Sequence, residues 1–486
     1  MRALCYPKID MATSILFGTD GWRALIAEDY TFDNVRLCAQ AVADHLQQLD
    51  GAWRGLVVAY DTRFGSEHFA EAVAEVSAAN GIPVALCAAP CPTPVASYSV
   101  VDRGAAGGVI ITASHNPGEW NGFKFKPDYG GSANAEVTEG LEARIRELQA
   151  GKDSVKRMRL SEAEAAGLVT RFDPAPAYFK RLAELVDLER IRAAGLTVVV
   201  DSMHGAGSGY FRRALEGGST RAIEIRAERN PAFPGMHNPE PIAHNLVPLV
   251  ERVKAEGADL GLATDGDSDR IGIVDERGVF VNQLETYALL LLYLLEIRGR
   301  RGPAIRSLTS TSMADRLGKR YGIPIYETSV GFKYVGPRMM ETGAIFGGEE
   351  SGGFGFGGHI PERDAIVAGL CALDMMVALK LPMSGVLAYL TEKAGPSFYD
   401  RWDVTYAAER RPEITRQVAA AQPAEIVGLP VASVNDSDGK KFMLSDGSWL
   451  LIRFSGTEPV LRIYTETTSA EMVNQILTAG RELAGV

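Results

Sequence analysis

Short apolar runs that stop at a polar loop recur along this chain, and most are followed by a segment of helical composition. Gly55-Leu-Val-Val-Ala-Tyr60 runs into Asp61-Thr-Arg63, and Gly107-Gly-Val-Ile-Ile111 into Thr112-Ala-Ser-His-Asn-Pro117. Leu196-Thr-Val-Val-Val200 leads to Met203-His-Gly-Ala-Gly-Ser-Gly209, and Leu260-Gly-Leu-Ala263 to Thr264-Asp-Gly-Asp-Ser-Asp-Arg270. A run with no polar alternation is buried on both faces, as in a parallel sheet covered by helices. Helical composition over Phe69–Ala79, Val137–Leu148, Tyr178–Val186 and Phe211–Leu215 supplies the cover, so β-α-β order is predicted. Pro83–Cys87 and Ser307–Thr309 are further expected strands.

A chain of 486 residues has room for three or four domains. The polar segment 151–175, with its end Asp173-Pro-Ala-Pro176, marks a first boundary. Beyond about Ser397 strands dominate and the β-α alternation weakens. The expected fold class is therefore three similar α/β domains with mixed or parallel sheets, at 1–160, 161–279 and 280–394, and a smaller α+β domain at 395–486. The likeness among the three is one of pattern, with no clear internal repeat.

Several function classes are disfavoured. Net charge is −11 and no basic stripe interrupts it, which argues against nucleic acid as a partner. Tyr287–Leu295 is strongly apolar but far short of the roughly 20 residues that span a bilayer, so it reads as a buried helix and no membrane partner is expected. Cys5, Cys38, Cys87, Cys91 and Cys371 form neither a disulfide framework nor a zinc pattern, which fits a reducing compartment. The first residues lack a signal-peptide core, Met11 could be an alternative start, and a cytoplasmic location is expected.

The chemistry gathers in loops. In Thr112–Pro117, Pro117 forbids a helix and pushes Asn116 toward extended backbone, leaving Ser114 and His115 on a loop after a strand. A serine hydrolase pair is disfavoured, because G-x-S-x-G is absent and sequence neighbours in a loop usually point apart. Asp265, Asp267 and Asp269 alternate on a loop, a pattern that suits a hard divalent cation or a solvated acidic turn. An EF-hand would use Glu276 at position 12, but Arg270 stands where its turn needs glycine and the flanks are strand-like. Mg²⁺ is expected ahead of Ca²⁺, since three open carboxylates leave room for a phosphate oxygen. Arg453-Phe-Ser455-Gly456-Thr457 can curl into a phosphate cradle or be a polar turn. Gly348-Glu349-Glu350-Ser351 offers acceptors for sugar hydroxyls or is a solvated turn. Arg23 follows the turn of Phe17-Gly-Thr-Asp-Gly. His204–Gly209 lacks the G-x-G-x-x-G spacing and reads as a close-packed turn.

Together TASHNP, DGDSDR, GEESGG and RFSGTEP, one per expected domain and in this order, resemble the loops of the α-D-phosphohexomutases, the phosphoglucomutase and phosphomannomutase superfamily. The resemblance runs from Phe17 to about Thr467. It implies four domains around a central active-site cleft. It implies that Ser114, at an exposed loop tip, carries a phosphoryl group, gives it to a hexose monophosphate, and takes it back from the other end of the bisphosphate. Mg²⁺ would be held by Asp265, Asp267, Asp269 and a Ser114 phosphate oxygen. His115 and Lys124 would move the hydroxyl proton, with Lys124 otherwise a solvated surface charge. Arg23 and Arg270 would steady phosphoryl oxygens. Arg453, Ser455, Gly456 and Thr457 would grip the other phosphate, Glu349 and Ser351 the sugar hydroxyls, and Lys333 would line the cleft.

The implied partners are hexose phosphates, with glucose 1,6-bisphosphate as activator and intermediate, acting on a monomer or homodimer. One departure is Gly353, where members using both glucose and mannose phosphates often carry histidine. The double-glutamate form GEES resembles that of phosphoglucomutases, which implies glucose first, with mannose and glucosamine phosphates behind. A sugar phosphatase or a non-catalytic binding protein remains the alternative class. A binding protein would be expected to have lost Ser114 or an aspartate, and a phosphatase has less use for a second phosphate cradle.

Overall fold

The apolar runs become inner strands of sheets. The structure, a computed structural model, describes residues 14–18, 20–49, 51–455 and 459–486. β1 (Trp22–Leu25), β2 (Leu56–Tyr60), β3 (Val84–Cys87), β4 (Gly107–Ile111), β5 (Trp120–Pro127) and β6 (Val169–Phe172) form a sheet in the order β1-β5-β4-β2-β3-β6. β2 runs parallel to β3 and β4, whereas β5 returns antiparallel beside β4. With a neighbour on each side and helices such as Ser66–Ala79 packed on them, β2 and β4 are buried at every residue. The expected boundary at residue 160 falls short of this sheet's end, because β6 pairs with β3 and the sheet runs on to Phe172. β6 is half exposed and carries charge, so its composition hides a strand that only the pairing reveals.

The second sheet holds β7 (Thr197–Asp201), β8 (Arg221–Ile225), β9 (Leu260–Thr264), β10 (Ile271–Asp275) and β11 (Phe280–Val281), ordered β11-β10-β9-β7-β8. The third holds β12 (Ala304–Ser307), β13 (Ile325–Thr328), β14 (Phe346–Gly348) and β15 (Phe354–Phe356), ordered β13-β12-β14-β15. β12 ends where a strand was expected to begin, and the hydroxyl-rich residues after it lead into the helix Met313–Tyr321. The apolar run 287–295 lies inside the helix Gln283–Glu296, buried almost throughout.

The last sheet is wholly antiparallel: β16 (Phe398–Thr405), β17 (Glu425–Ile426), β18 (Leu429–Asn435), β19 (Lys440–Leu444), β20 (Trp449–Phe454) and β21 (Val460–Thr467), ordered β16-β21-β20-β19-β18-β17. The helix Ala470–Ala484 lays Ile476 and Leu477 on it. Three α/β domains with mixed sheets and a C-terminal α+β domain are thus present. The chain groups into two compact units, one up to Tyr178 with Arg229–Pro239, the other Phe179–Glu228 with Glu240–Val486. Among the described residues no single helix is long and apolar enough to cross a membrane.

Candidate active site

In the first unit, the segment between β4 and β5 wraps round one buried guanidinium. Arg63 donates to the carbonyls of Ser114, Asn116, Pro117 and Trp120 at 2.5–3.0 Å. Its Nε lies 3.2 Å from Asp61 Oδ2, and both side chains are fully buried. Asp61 also accepts from the Arg63 amide and from Ser66 Oγ. Carbonyls that converge on a cation force a tight loop, and Ser114 takes a left-handed φ of 53° within it. That conformation is unfavourable for a non-glycine residue by about 1–3 kcal/mol, which the clamp offsets. Ser114 is buried and not at an exposed tip as expected, because its backbone is drawn inward onto Arg63. The same turn corrects a second expectation: the neighbours do not point apart, and Ser114 Oγ stands 3.3 Å from His115 Nδ1.

Strand pairing sets the flanking cations. β1 places Arg23 opposite Gly122, and Arg23 Nη1 donates to Asn116 Oδ1 at 2.7 Å. Lys124 on β5 is not a solvated surface charge. It is 1% exposed, with its Nζ 2.7 Å from Asp20 Oδ2, while Lys126 Nζ reaches Asp20 Oδ1 at 2.9 Å. A single carboxylate between two buried ammonium groups holds Lys124 in place.

In the second unit, the loop between β9 and β10 gathers Asp265, Asp267 and Asp269 as expected. All three are fully buried, with carboxylate oxygens within 4.8 Å of one another. Asp265 Oδ1 accepts from the Asp269 and Arg270 amides, which closes the turn. Burial, then the charges of Asp269 and Asp267, push the Asp265 carboxyl well above the usual range. Three buried carboxylates this close need positive charge among them, so the oxygen donor set fits a hard divalent cation. The strand flanks and Glu276, which accepts from the Ser384 amide, leave no EF-hand.

The glycine turn 203–209 is close-packed, as its sequence indicated. A Cβ on Gly205 would stand 2.8 Å from the Gly266 carbonyl, and one on Gly207 2.3 Å from Ser268 Oγ. The turn is the floor under the aspartate loop, and any side chain there would lift that loop. Arg270 leaves the loop toward Glu240, with which it pairs.

The two glutamates of the β14–β15 loop part company. Glu349 Oε1 accepts from the Gly331 amide at 2.8 Å, and burial raises its carboxyl while Arg363 and Arg270 pull it partly back. Glu350 instead accepts from Tyr399 Oη at 2.7 Å and Arg401 Nη1 at 3.3 Å, both on β16. Ser351 is half-buried at the turn, and Lys333 is half-buried with its Nζ 5.3 Å from the Tyr334 ring centroid. At the end of β20, Arg453 Nε donates to Asp438 Oδ1 at 2.9 Å, while Asp438 Oδ2 accepts from the Val330 amide. The adjacent amides of Val330 and Gly331 therefore tie the Arg453 and Glu349 loops to one short segment. Ser455 is buried and donates its amide to the Val460 carbonyl. Gly456 and Thr457 lie outside the described residues.

The third and fourth domains share buried polar contacts that the sequence reading missed. Glu466 on β21 accepts from Thr311 Oγ1, the Ser312 amide and Oγ, Ser397 Oγ and Trp449 Nε1, at 2.5–2.8 Å. Lys441 on β19 donates to the Leu308 carbonyl and to Glu327. Burial and Arg306 push its ammonium down to about 8, with Glu327 opposing. Arg63 and Asp20 were missed as well. The signal for Arg63 was Asp61-x-Arg63 closing a wholly apolar strand, where a paired charge is the only tolerable one. No local signal marked Glu466.

Comparison with known proteins follows the same four-part order. Models of the phosphoglucomutase/phosphomannomutase family match alpha/beta/alpha domain I at 14–152, domain II at 176–278, domain III at 283–394 and the C-terminal domain at 407–482. A phosphoglucomutase/phosphomannomutase of Thermococcus kodakarensis is 31% identical over 469 residues, 96% of this chain and 98% of the relative. A phosphoglucosamine mutase of Paenarthrobacter aurescens is 32% identical over 471 residues, 95% of each. A crystal structure from Thermus thermophilus that carries the phosphomannomutase name superposes with a TM-score of 0.84 at 33% identity, covering 98% of this chain and all of the other. With four matched domains in order and relatives spanning nearly its whole length, this chain belongs to the phosphoglucomutase/phosphomannomutase family of phosphohexomutases.

Proposed function

We propose that the chain interconverts hexose 1-phosphate and hexose 6-phosphate, glucose first, through a phosphoserine at Ser114 and a hexose 1,6-bisphosphate. The observation that carries this reading is the loop that locks Ser114 in a left-handed conformation against Arg63, with His115 beside its hydroxyl. In the first half-cycle the bond from Ser114 Oγ to phosphorus breaks and one from a sugar hydroxyl oxygen forms; in the second, the bisphosphate's other sugar O–P bond breaks and the Ser114 Oγ–P bond forms again. The hydroxyl proton passes to His115 or Lys124, and the reverse step returns the second phosphoryl to Ser114 Oγ. Arg23 and Arg270 attract phosphoryl oxygens, and Arg453, Ser455, Gly456 and Thr457 hold the phosphate that is not reacting. Glu349, Ser351 and Lys333 orient the sugar. Asp265, Asp267 and Asp269 are the residues that would hold Mg²⁺, which when bound neutralises charge on the transferring group.

The double glutamate supports glucose. Glucosamine phosphate is the second reading, favoured by the relative of that name at 32% identity and by the acidic sugar loop, which suits an ammonium. Coupled assays on glucose, mannose and glucosamine 1-phosphates separate them, and a kcat/KM highest for mannose would overturn both. Intact-mass analysis after incubation with glucose 1,6-bisphosphate should show one added phosphoryl, absent from Ser114→Ala. A phosphoryl that maps to another residue would sink the mechanism.

The cation should matter to rate more than to sugar binding. Asp267→Asn is expected to lower kcat on the order of 100-fold while changing the Kd for sugar phosphate little, because the ion acts on developing charge. Chelation should abolish turnover. A chelator-resistant enzyme would remove the metal from the reaction.

A further inference from the structure

Arg363 is a buried cation, 5% exposed, between β15 and the helix Ala365–Leu379. Its Nη2 lies 2.7 Å from Asp269 Oδ2 and its Nε 3.1 Å from Glu362 Oε1, with the guanidinium 5.6 Å from the Phe332 ring centroid. Its aliphatic stem fills the space beside Gly353. A Cβ built on Gly353 would stand 2.3 Å from Arg363 Cδ and 2.8 Å from Cγ. The backbone at 353 has no left-handed φ that would itself require glycine. What excludes a side chain there is the arginine stem.

We propose that Arg363 is a positioning residue for the cation site, holding the Asp269 carboxylate in register with Asp265 and Asp267, and that Gly353 is glycine to leave it room. This rests on the reading that the three aspartates bind Mg²⁺. Two effects of the arginine oppose each other. Its charge repels a metal ion at the neighbouring carboxylate, while its hydrogen bond orients that carboxylate. Asp269 stands against two like charges in a buried loop and would swing away from them if released. Partners that orient a metal ligand are worth about 10–100-fold in affinity, so orientation outweighs repulsion. Position 353 is thus closed to a side chain by a residue from a later turn. A side chain at 353 and a long one at 363 are alternatives.

The test is calorimetric titration of the full chain with Mn²⁺ alone. Arg363→Ala is expected to bind Mn²⁺ about 10–100-fold more weakly than wild type, and Arg363→Lys to recover part of the loss. Gly353→Ala touches no aspartate, yet should weaken Mn²⁺ by displacing the arginine. The double variant should bind no more weakly than Arg363→Ala alone, since both changes break one contact. Thermal melts identify any variant that has not folded, and the remaining variants then decide. Arg363→Ala binding Mn²⁺ as tightly as wild type or more tightly, or losses that add in the double variant, would overturn the proposal. Wild type binding no Mn²⁺, as in Asp267→Asn, would instead bring down the cation reading on which it rests.

Discussion

Arg63→Ala is expected to lower the melting temperature of the first unit by roughly 6–20 °C and to abolish phosphorylation at Ser114. The first figure follows from burial. Arg63 and Asp61 are both fully buried, and removing one member of such a pair leaves an uncompensated charge, at about 3–5 kcal/mol. At roughly 2–4 °C per kcal/mol for a unit of this size, the melting shift follows. Burial already pushes the Asp61 carboxyl up, and Arg63 is the first of the groups that restrain it. The second effect follows from the four carbonyls. Without the guanidinium they must turn to water, and the loop no longer holds Ser114 at a φ of 53°. Arg63→Lys tests the geometry separately from the charge. A lysine can pair with Asp61 but lacks the planar fork that reaches four carbonyls, so it should regain stability and not phosphorylation. Scanning calorimetry and intact mass read the two effects. An Arg63→Lys protein phosphorylated at the wild-type rate would show that the clamp does not position the serine.

Glu466→Ala is expected to destabilise the second unit by about 3–5 kcal/mol, because it strands neutral donors that all point at this carboxylate. Five donors converge on this carboxylate, which is 1% exposed. Each donor stranded in a dry site costs about 1–3 kcal/mol, reduced as hydroxyls rotate and water enters. The pH dependence has a definite sign. Burial pushes the Glu466 carboxyl up, but the donors of Ser312, Ser397 and Thr311 outweigh it and hold it below its ordinary value of 4.5. A depressed carboxyl contributes stability that is fully present above the unfolded value and lost as pH falls through the folded one. The gap in melting temperature between wild type and Glu466→Gln should therefore be flat from about pH 6 to 8 and should narrow below about 4.5. A gap that widens on acidification would mean that the carboxylate is not ionised in the fold. Ser397 sits at the junction of the third and fourth domains, beside β16, so the same variant should also loosen that junction, as hydrogen exchange over Thr311–Ser312 would report.

What the sequence could determine by itself was whatever the chain's own connectivity enforces. Alternating aspartates on one tight turn are brought together by the backbone alone, so Asp265, Asp267 and Asp269 were legible as one cluster. Short apolar runs of about five residues that end in polar loops, such as Leu56–Tyr60 and Gly107–Ile111, read as inner strands, which made the α/β domains legible, and the loop order pointed to the family. Partners far apart along the chain were not legible, because packing chooses them. Arg63 lies 51 residues before the serine it clamps, and Glu466 lies 154 residues beyond Ser312. A charged residue has no local sign of what it will face. Its interaction strengthens from a few tenths to several kcal/mol only when folding removes water. β6 was missed for a related reason: a half-exposed edge strand is decided by the neighbour that offers it hydrogen bonds, not by its own composition. Gly353 read as a missing side chain until the tertiary structure placed the Arg363 stem in its space, a steric fact that no spacing along the chain records.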